Sequence, residues 1–313
     1  MNLTSINTIK DLFARHGFAF TKSLGQNFLI NPSVCPRIVE ASTTPPPTAA
    51  PLQGGELGRF ALEIGAGVGV LTKELAKTCE KVICVEIDET LKPILAETLA
   101  DCPNVEIIWG DVLKLDLKRL FAEKFNVGDG VPGVPQSEPM PEIICCANLP
   151  YYITSPVIMR LLEERLPLKS ITVMVQKEAA VRLCAAPGTR DCGAVSVAVR
   201  YYSTPKKLFD VSRGSFMPAP NVDSAVIRLD VHGVGARIAR PQNEIQDEKF
   251  FFRIVRAAFS QRRKQLVNPL SSELGLQKET VKTALSAIGQ SPTARAEELT
   301  LEDFIKLYRE LKP

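Results

Sequence analysis

The chain has 313 residues, with 38 Lys and Arg against 35 Asp and Glu, only two His, and a formal net charge of +3. At roughly 100–200 residues per domain, this length predicts two domains, or one with an appendage. Hydrophobic residues at 45% and charged residues at 23% exclude a wholly disordered chain, and the apolar runs fall far short of the ~20 residues that span a bilayer, so no membrane partner is expected.

In chain order, Ile6–Phe18 reads as a short amphipathic helix, with Ile6, Ile9, Leu12 and Phe13 on one face and Gly17 as its stop. Lys10, Asp11 and Arg15 fall within it and no apolar stretch does, so no secretory signal is expected. A polar loop follows over residues 21–29. The stretch 43–58 holds four prolines and three glycines and reads as a surface insertion.

From residue 59 strands and helices alternate. Phe60–Ile64 predicts a strand, Val70–Ala76 a helix, Lys81–Ile87 a strand, Glu89–Ala100 a helix and Val105–Trp109 a strand. After a second Pro-rich insertion at 126–141 come a strand at Ile143–Ala147, a helix at Pro156–Glu164 and a strand at Ile171–Val175. Near-continuous apolar strands between helices argue for a parallel sheet covered on both faces. Ala194–Tyr202 and Val222–Leu229 both alternate, which predicts an antiparallel pair at the sheet edge. Beyond about residue 240 only helices are expected, at Glu248–Phe259, Lys278–Ile288 and Leu301–Leu311. The division expected is a first domain over 1–238 and a small helical domain over 239–313.

The eight cysteines include no C-x-x-C pair, and with His16 and His232 as the only histidines no metal site is expected. Cys84, Cys145 and Cys146 sit in apolar runs, where cysteine acts as a small hydrophobe. Eight reduced thiols point to a cytoplasmic location.

Two motifs carry chemistry. Glu63-Ile64-Gly65-Ala66-Gly67-Val68-Gly69 lies between the first strand and its helix, where glycines let the backbone turn tightly and approach a ligand. Position 70 is Val, so the dinucleotide fingerprint is not met. Glu86 lies 21 residues after Gly65, at a strand end, where a carboxylate accepts from both hydroxyls of a ribose. Asp111 follows the next strand, in reach of an adenine amine or, alternatively, as a helix cap. These residues predict a nucleoside cofactor.

The second motif, Asn148-Leu149-Pro150-Tyr151, follows the fourth strand and so points into the same crevice. It supplies a side-chain amide, backbone carbonyls and an aromatic face, a set suited to an exocyclic amine on a planar base.

Gln-Asn-Phe-Leu (26–29), the glycine loop, Glu86, Gly110-Asp111 and Asn-Leu-Pro-Tyr (148–151) stand in an order that resembles S-adenosylmethionine-dependent rRNA adenine N6-dimethyltransferases. Gln-Lys-Glu (176–178), Phe-x-Pro-x-Pro-x-Val-Asp-Ser-Ala-Val (216–226) and Phe-Ser-Gln-Arg-Arg-Lys (259–264) extend the likeness to the KsgA-type small-subunit enzymes, over residues 6 to 311. The resemblance implies an α/β, Rossmann-like fold with a mostly parallel seven-stranded sheet and a small all-helical C-terminal domain. It implies S-adenosyl-L-methionine as cofactor, met by Asn27, Leu29, Gly65, Gly67, Glu86, Asp111 and Asn148. The target implied is a pair of adjacent adenosines in the 3′-terminal hairpin of small-subunit rRNA, each dimethylated on N6. Catalysis falls to Asn148, Leu149, Pro150 and Tyr151, with Phe216 closing the far face of the base. Two features depart from the family pattern. The two insertions are long, and Cys192 stands where members often carry an aromatic residue.

Arg262, Arg263 and Lys264 follow an apolar helix, and Lys22 and Arg190 lie on loops. With the resemblance, these five are expected to meet RNA phosphates. Residues 1–59 carry five basic and three acidic side chains, 60–180 twelve and eighteen, and 181–313 twenty-one and fourteen. The basic excess thus lies in the segments expected to hold RNA. A monomer is the default expectation.

Three other readings share part of the pattern. Erm-type enzymes on large-subunit rRNA carry a similar tetrapeptide, but the basic motif and C-terminal helices favour the small-subunit type. DNA adenine methyltransferases carry proline where Leu149 stands. A non-catalytic assembly factor on this fold would not need Glu86, Asp111, Asn148 and Tyr151 together.

Overall fold

The computed structural model describes residues 1–21, 24–44, 58–126, 142–232, 245–261 and 264–312. The two expected insertions lie almost wholly outside these. By contact the chain divides into two units, Met1–Ala180 with Lys206–Val234, and Val181–Pro205 with Gly235–Pro313.

The first unit begins with α1 (Ile6–His16), which Ser5 caps by accepting the amide of Thr8 and Gly17 ends at φ 64°. Ile9, Leu12 and Phe13 are buried, whereas Ile6, expected on the same face, is exposed. β1 (Phe28–Leu29) leads to α2 (Val34–Thr43), a further helix, not among those expected, that buries Val34, Cys35, Ile38 and Val39. Then come β2 (Arg59–Ile64), α3 (Val70–Ala76), β3 (Lys81–Glu86), α4 (Lys92–Thr98), β4 (Val105–Trp109) and α5 (Leu117–Phe125). β5 (Glu142–Asn148), α6 (Thr154–Glu163), β6 (Leu168–Gln176) and α7 (Lys177–Cys184) complete the alternation.

Ala194–Tyr202 is a helix, α8, and not the strand that its alternation suggested. Ser196 closes its first turn by accepting the Gly193 amide, and it donates to the Arg182 carbonyl. Val197, Val199 and Tyr201 are buried, and so are Ser196, Ala198 and Tyr202 between and beside them, so the element is a helix buried on most of its surface, for which a two-residue period is no guide. The strands that follow are β7 (Ser203–Val211), β8 (Phe216–Met217) and β9 (Ser224–Val231).

Among the described residues the main sheet has seven strands in the order β4-β3-β2-β5-β6-β9-β7. Its first five strands run parallel and β9 pairs antiparallel with β6. This is the mostly parallel, Rossmann-like sheet expected, although the strand beyond β9 is Ser203–Val211. β2 lies between β3 and β5, with Ile64 opposite Val85 and Ala147. That register brings the ends of three strands, and the loops after them, to one place. A separate two-stranded ribbon joins β1 to β8, with Leu29 opposite Phe216.

The second unit contains α8, α9 (Glu248–Phe259), α10 (Val267–Leu274), α11 (Lys278–Ala287) and α12 (Leu301–Leu311), the helices α9 and α12 ending as the periodicity predicts. Residues 181–205 group with these helices because Tyr201 packs on Phe251 at 5.2 Å and donates to Glu248 Oε1 at 2.7 Å. No described helix is long and apolar enough to cross a membrane. All eight cysteines are free thiols.

Candidate active site

At the C-terminal ends of β2, β3, β4 and β5 lies a cavity of about 260 Å³. The loop after β2 enters it with Gly65 at φ +82° and Gly67 at φ +56°, conformations that side chains with a Cβ rarely adopt. Gly65 donates its amide to the Val85 carbonyl at 2.8 Å, and a Cβ built there would meet nothing within 4 Å. The space above Gly65 is therefore open to a ligand. At Gly67 a Cβ would stand 3.4 Å from the Phe28 ring, an ordinary contact, so it is the positive φ and not packing that calls for glycine there.

Glu86, the last residue of β3, is buried. Its Oε2 accepts the Gly67 amide at 3.1 Å, and its Oε1 accepts the amides of Ile87 and Asp88 at 2.8 and 2.9 Å. Burial pushes its pKa up, and these amide bonds oppose the shift. The Glu86 backbone carbonyl accepts the Gly110 amide at 2.8 Å, which ties the next strand end to it.

Asp111 divides its carboxylate between two tasks. Its Oδ1 accepts the Leu113 amide at 2.9 Å within a turn, and its Oδ2 lies 3.4 Å from Lys114 Nζ; the helix that follows is capped by Asp116 and not by Asp111, although Asp111 lines the cavity.

Asn148, at the end of β5, donates its Nδ2 to the Asn27 carbonyl at 3.3 Å. The amide nitrogen is thereby engaged with the N-terminal loop, and Oδ1 remains as an acceptor. Asn27 is itself held by donating Nδ2 to the Gly25 carbonyl at 2.9 Å. The Pro150 carbonyl accepts from the Ile153 amide at 3.2 Å and the Thr154 hydroxyl at 3.4 Å, closing a 3-10 turn over Tyr151–Ile153. Leu149, anchored through its amide to the Met174 carbonyl at 3.2 Å, therefore has the freer carbonyl of the two. Tyr151 is half-buried and its hydroxyl lies 3.0 Å from Ser224 Oγ, which fixes the ring. Burial raises its pKa, with the Ser224 bond opposing.

Leu29 and Phe216, paired across the β1–β8 ribbon, are both buried and both line the cavity. The structure thus gathers Asn27, Leu29, Gly65, Gly67, Glu86, Asp111, Asn148, Leu149, Pro150, Tyr151 and Phe216 around one cavity. Arg190 and Lys264 are exposed residues of the second unit. Lys22, Arg262 and Arg263 lie outside the described residues. No cluster of His, Cys, Asp or Glu able to hold a metal occurs among the described residues.

Sequence reasoning left three participants without a role. Gln26 donates to Asp88 Oδ2 at 2.6 Å and pins the N-terminal loop to the end of β3. Its signal was its place in the Gln-Asn-Phe-Leu motif. Ser224, the partner of Tyr151, lay within the Val-Asp-Ser motif. Glu63 heads the glycine loop, lines the cavity, and is wholly buried with no hydrogen bond to either carboxyl oxygen. Burial pushes its pKa up to about 8, with the Glu86 carboxylate adding to the rise.

Residues 17–312 match the family model of ribosomal RNA adenine dimethylases. A ribosomal RNA small subunit methyltransferase A of Bacillus cytotoxicus is 44% identical over 315 aligned positions, covering 100% of this chain and 98% of the relative. Its namesake in Bacillus mycoides is 43% identical, covering 98% of this chain and 96% of the relative. Among solved structures, a dimethyladenosine transferase from Plasmodium falciparum matches with a TM-score of 0.65 at 24% identity, over 90% of this chain and 96% of that one. The 23S rRNA methyltransferase ErmE matches with a TM-score of 0.62 at 23% identity, over 92% of this chain and 100% of that one, a likeness of fold.

Proposed function

The chain belongs to the ribosomal RNA adenine dimethylase family, and from that premise we propose that it transfers methyl groups from S-adenosyl-L-methionine to N6 of two adjacent adenosines in the 3′-terminal hairpin of small-subunit rRNA. The observation that carries this reading is the Asn148 amide. One N–H of its nitrogen is held by the Asn27 carbonyl, which fixes the amide with its oxygen available to accept from an exocyclic amine beside the cavity.

The residues present fit the cofactor. Gly65 leaves open space where a Cβ would stand, Glu86 offers a carboxylate held rigid by three amides, and Asp111 lines the cavity with a carboxylate. In this reading Glu86 accepts the ribose hydroxyls, Asp111 the adenine amine, and Gly65 and Gly67 border the amino-acid end. Asn27 and Leu29 close the N-terminal loop over it. S-adenosylmethionine, when bound, supplies an electrophilic sulfonium methyl.

The target adenosine leaves the RNA stack and rests on Tyr151, with Phe216 on its far face. Asn148 Oδ1 and the Leu149 carbonyl accept the two N6 hydrogens. Pro150 is the poorer second acceptor because its carbonyl is already bonded. Two acceptors favour a pyramidal nitrogen whose lone pair is free of the ring. Alignment and fixed dipoles then account for most of the rate gain. The proton leaves to solvent, since Tyr151, its pKa raised, is a protonated phenol at neutral pH and cannot accept it. Lys22, Arg190, Arg262, Arg263 and Lys264 contact phosphates, so RNA affinity falls with salt. The protein acts as a cytoplasmic monomer, with the helical second unit serving RNA binding.

Incubation with tritiated S-adenosylmethionine and unmethylated small subunits, large-subunit rRNA or DNA tests the reading. Label recovered as N6,N6-dimethyladenosine in small-subunit rRNA is expected. Label confined to large-subunit rRNA or DNA, or its absence, would overturn it.

A further inference from the structure

Arg160 lies outside every motif described above, on α6, fewer than two turns after Thr154. Its guanidinium is mostly covered, with a side-chain exposure of 22%. Nη1 donates to the Val112 carbonyl at 2.6 Å, Nη2 to the Leu115 carbonyl at 2.5 Å, and Nε to Glu164 Oε1 at 2.5 Å. Both carbonyls belong to the loop that carries Asp111. That loop is closed at its start by the Asp111 carbonyl, which accepts the amides of Lys114 and Leu115 at 2.8 and 3.0 Å. Arg160 closes it at its end.

The same helix follows directly on the Tyr151–Ile153 turn, and its first residue, Thr154, bonds the Pro150 carbonyl at 3.4 Å. One helix therefore begins at the target-base motif and, further along, grips the loop beside the cofactor's place. A fork of two charge-assisted bonds is the device that fixes orientation as well as distance.

We propose that Arg160 is a positioning residue, which sets the Asp111 loop for the cofactor's adenine by tying it to the helix that follows the Tyr151–Ile153 turn. The inference rests on the cofactor reading given above. Arg160 touches no reacting atom, so its loss weakens nucleoside binding and spares the methyl-transfer step.

The test measures binding of S-adenosylhomocysteine and of 5′-methylthioadenosine, without RNA, by calorimetry on the full chain and on Arg160→Met and Arg160→Lys. Arg160→Met is expected to bind both ligands about tenfold more weakly, by the same factor, because the shared adenine end is displaced. KM for S-adenosylmethionine rises in parallel while kcat stays within about twofold. Arg160→Lys, which can satisfy one carbonyl, recovers part of the affinity. Unchanged affinity in Arg160→Met with only a lower melting temperature would overturn the inference and leave Arg160 a structural tie. So would a loss seen with S-adenosylhomocysteine alone, or a fall in kcat at constant KM. Should Arg160→Met fail to fold, Arg160→Lys decides the matter, since wild-type affinity there is incompatible with the fork. Failure of the wild-type chain to bind either ligand would overturn the cofactor reading itself.

Discussion

Gly67 donates its backbone amide to Oε2 of Glu86 at 3.1 Å, so the glycine loop and the carboxylate at the end of the neighbouring strand form one hydrogen-bonded unit. With the amides of Ile87 and Asp88 on Oε1, that unit is built from protein groups alone. Glu86→Ala removes the acceptor of all three amides together with the proposed ribose contact. Affinity for S-adenosylhomocysteine should fall by at least about tenfold, and the unfolding free energy by about 1–3 kcal/mol. Calorimetry and urea denaturation read the two effects separately.

Gly65→Ala separates strain from space. The φ of +82° costs a side-chain-bearing residue about 1–2 kcal/mol of stability, although the new methyl group touches no protein atom within 4 Å. The proposed cofactor's amino-acid end would occupy that same space. S-adenosylhomocysteine should therefore lose more affinity than 5′-methylthioadenosine, which lacks that end. Equal losses would place the amino-acid end elsewhere.

Asn148→Ala should reduce kcat at least about 100-fold, the cost typical of removing one preorganised partner from a reacting group. RNA affinity should stay near the wild-type value in filter binding. Near-normal methylation would remove Asn148 from the reaction. Tyr151→Phe keeps the ring and loses only the bond to Ser224, so most activity should survive; Tyr151→Ala should lose about 1–3 kcal/mol of base stacking.

Glu63 makes a prediction about pH. Its folded-state pKa near 8 lies above the ordinary value of 4.5, so folding takes up a proton between these limits. The associated stability is fully present below pH 4.5 and is lost as pH rises through about 8. Glu63→Gln cannot ionise, so its unfolding free energy should fall less over that interval. By pH 8 the gap between the two should have shifted in favour of Gln by on the order of a few kcal/mol. Parallel urea curves for the two proteins from pH 5 to pH 8 would contradict this.

Much of the cavity was legible in the chain order of residues. Gly65, Glu86, Asp111 and Asn148 each stand at or just after the end of a predicted strand, and a parallel sheet brings such ends together. The gathering of the glycine loop, Glu86, Asp111 and the Asn-Leu-Pro-Tyr tetrapeptide around one cavity could therefore be read from the sequence. The rims of the elements were less legible. Ala194–Tyr202 alternates like a strand and forms a helix, because burial on most of its surface cancels the periodicity that normally tells the two apart. Val34–Thr43 was passed over, although it buries Val34, Cys35, Ile38 and Val39.

Local pattern thus determined the fold class, the glycine loop, the Asn-Leu-Pro-Tyr tetrapeptide and the family resemblance, since each depends on residue type at a fixed distance along the chain. Only the tertiary structure decided which groups finish the site. The Asn148 amide meets a carbonyl 121 residues away, Tyr151 meets Ser224 across 73, and Arg160 reaches back 48 and 45 residues to the Asp111 loop. Glu63 owes its raised pKa to burial among several elements. Hydrogen bonds and desolvation act through space, so no spacing along the chain announces them. They arise only when packing has chosen which distant residues become neighbours.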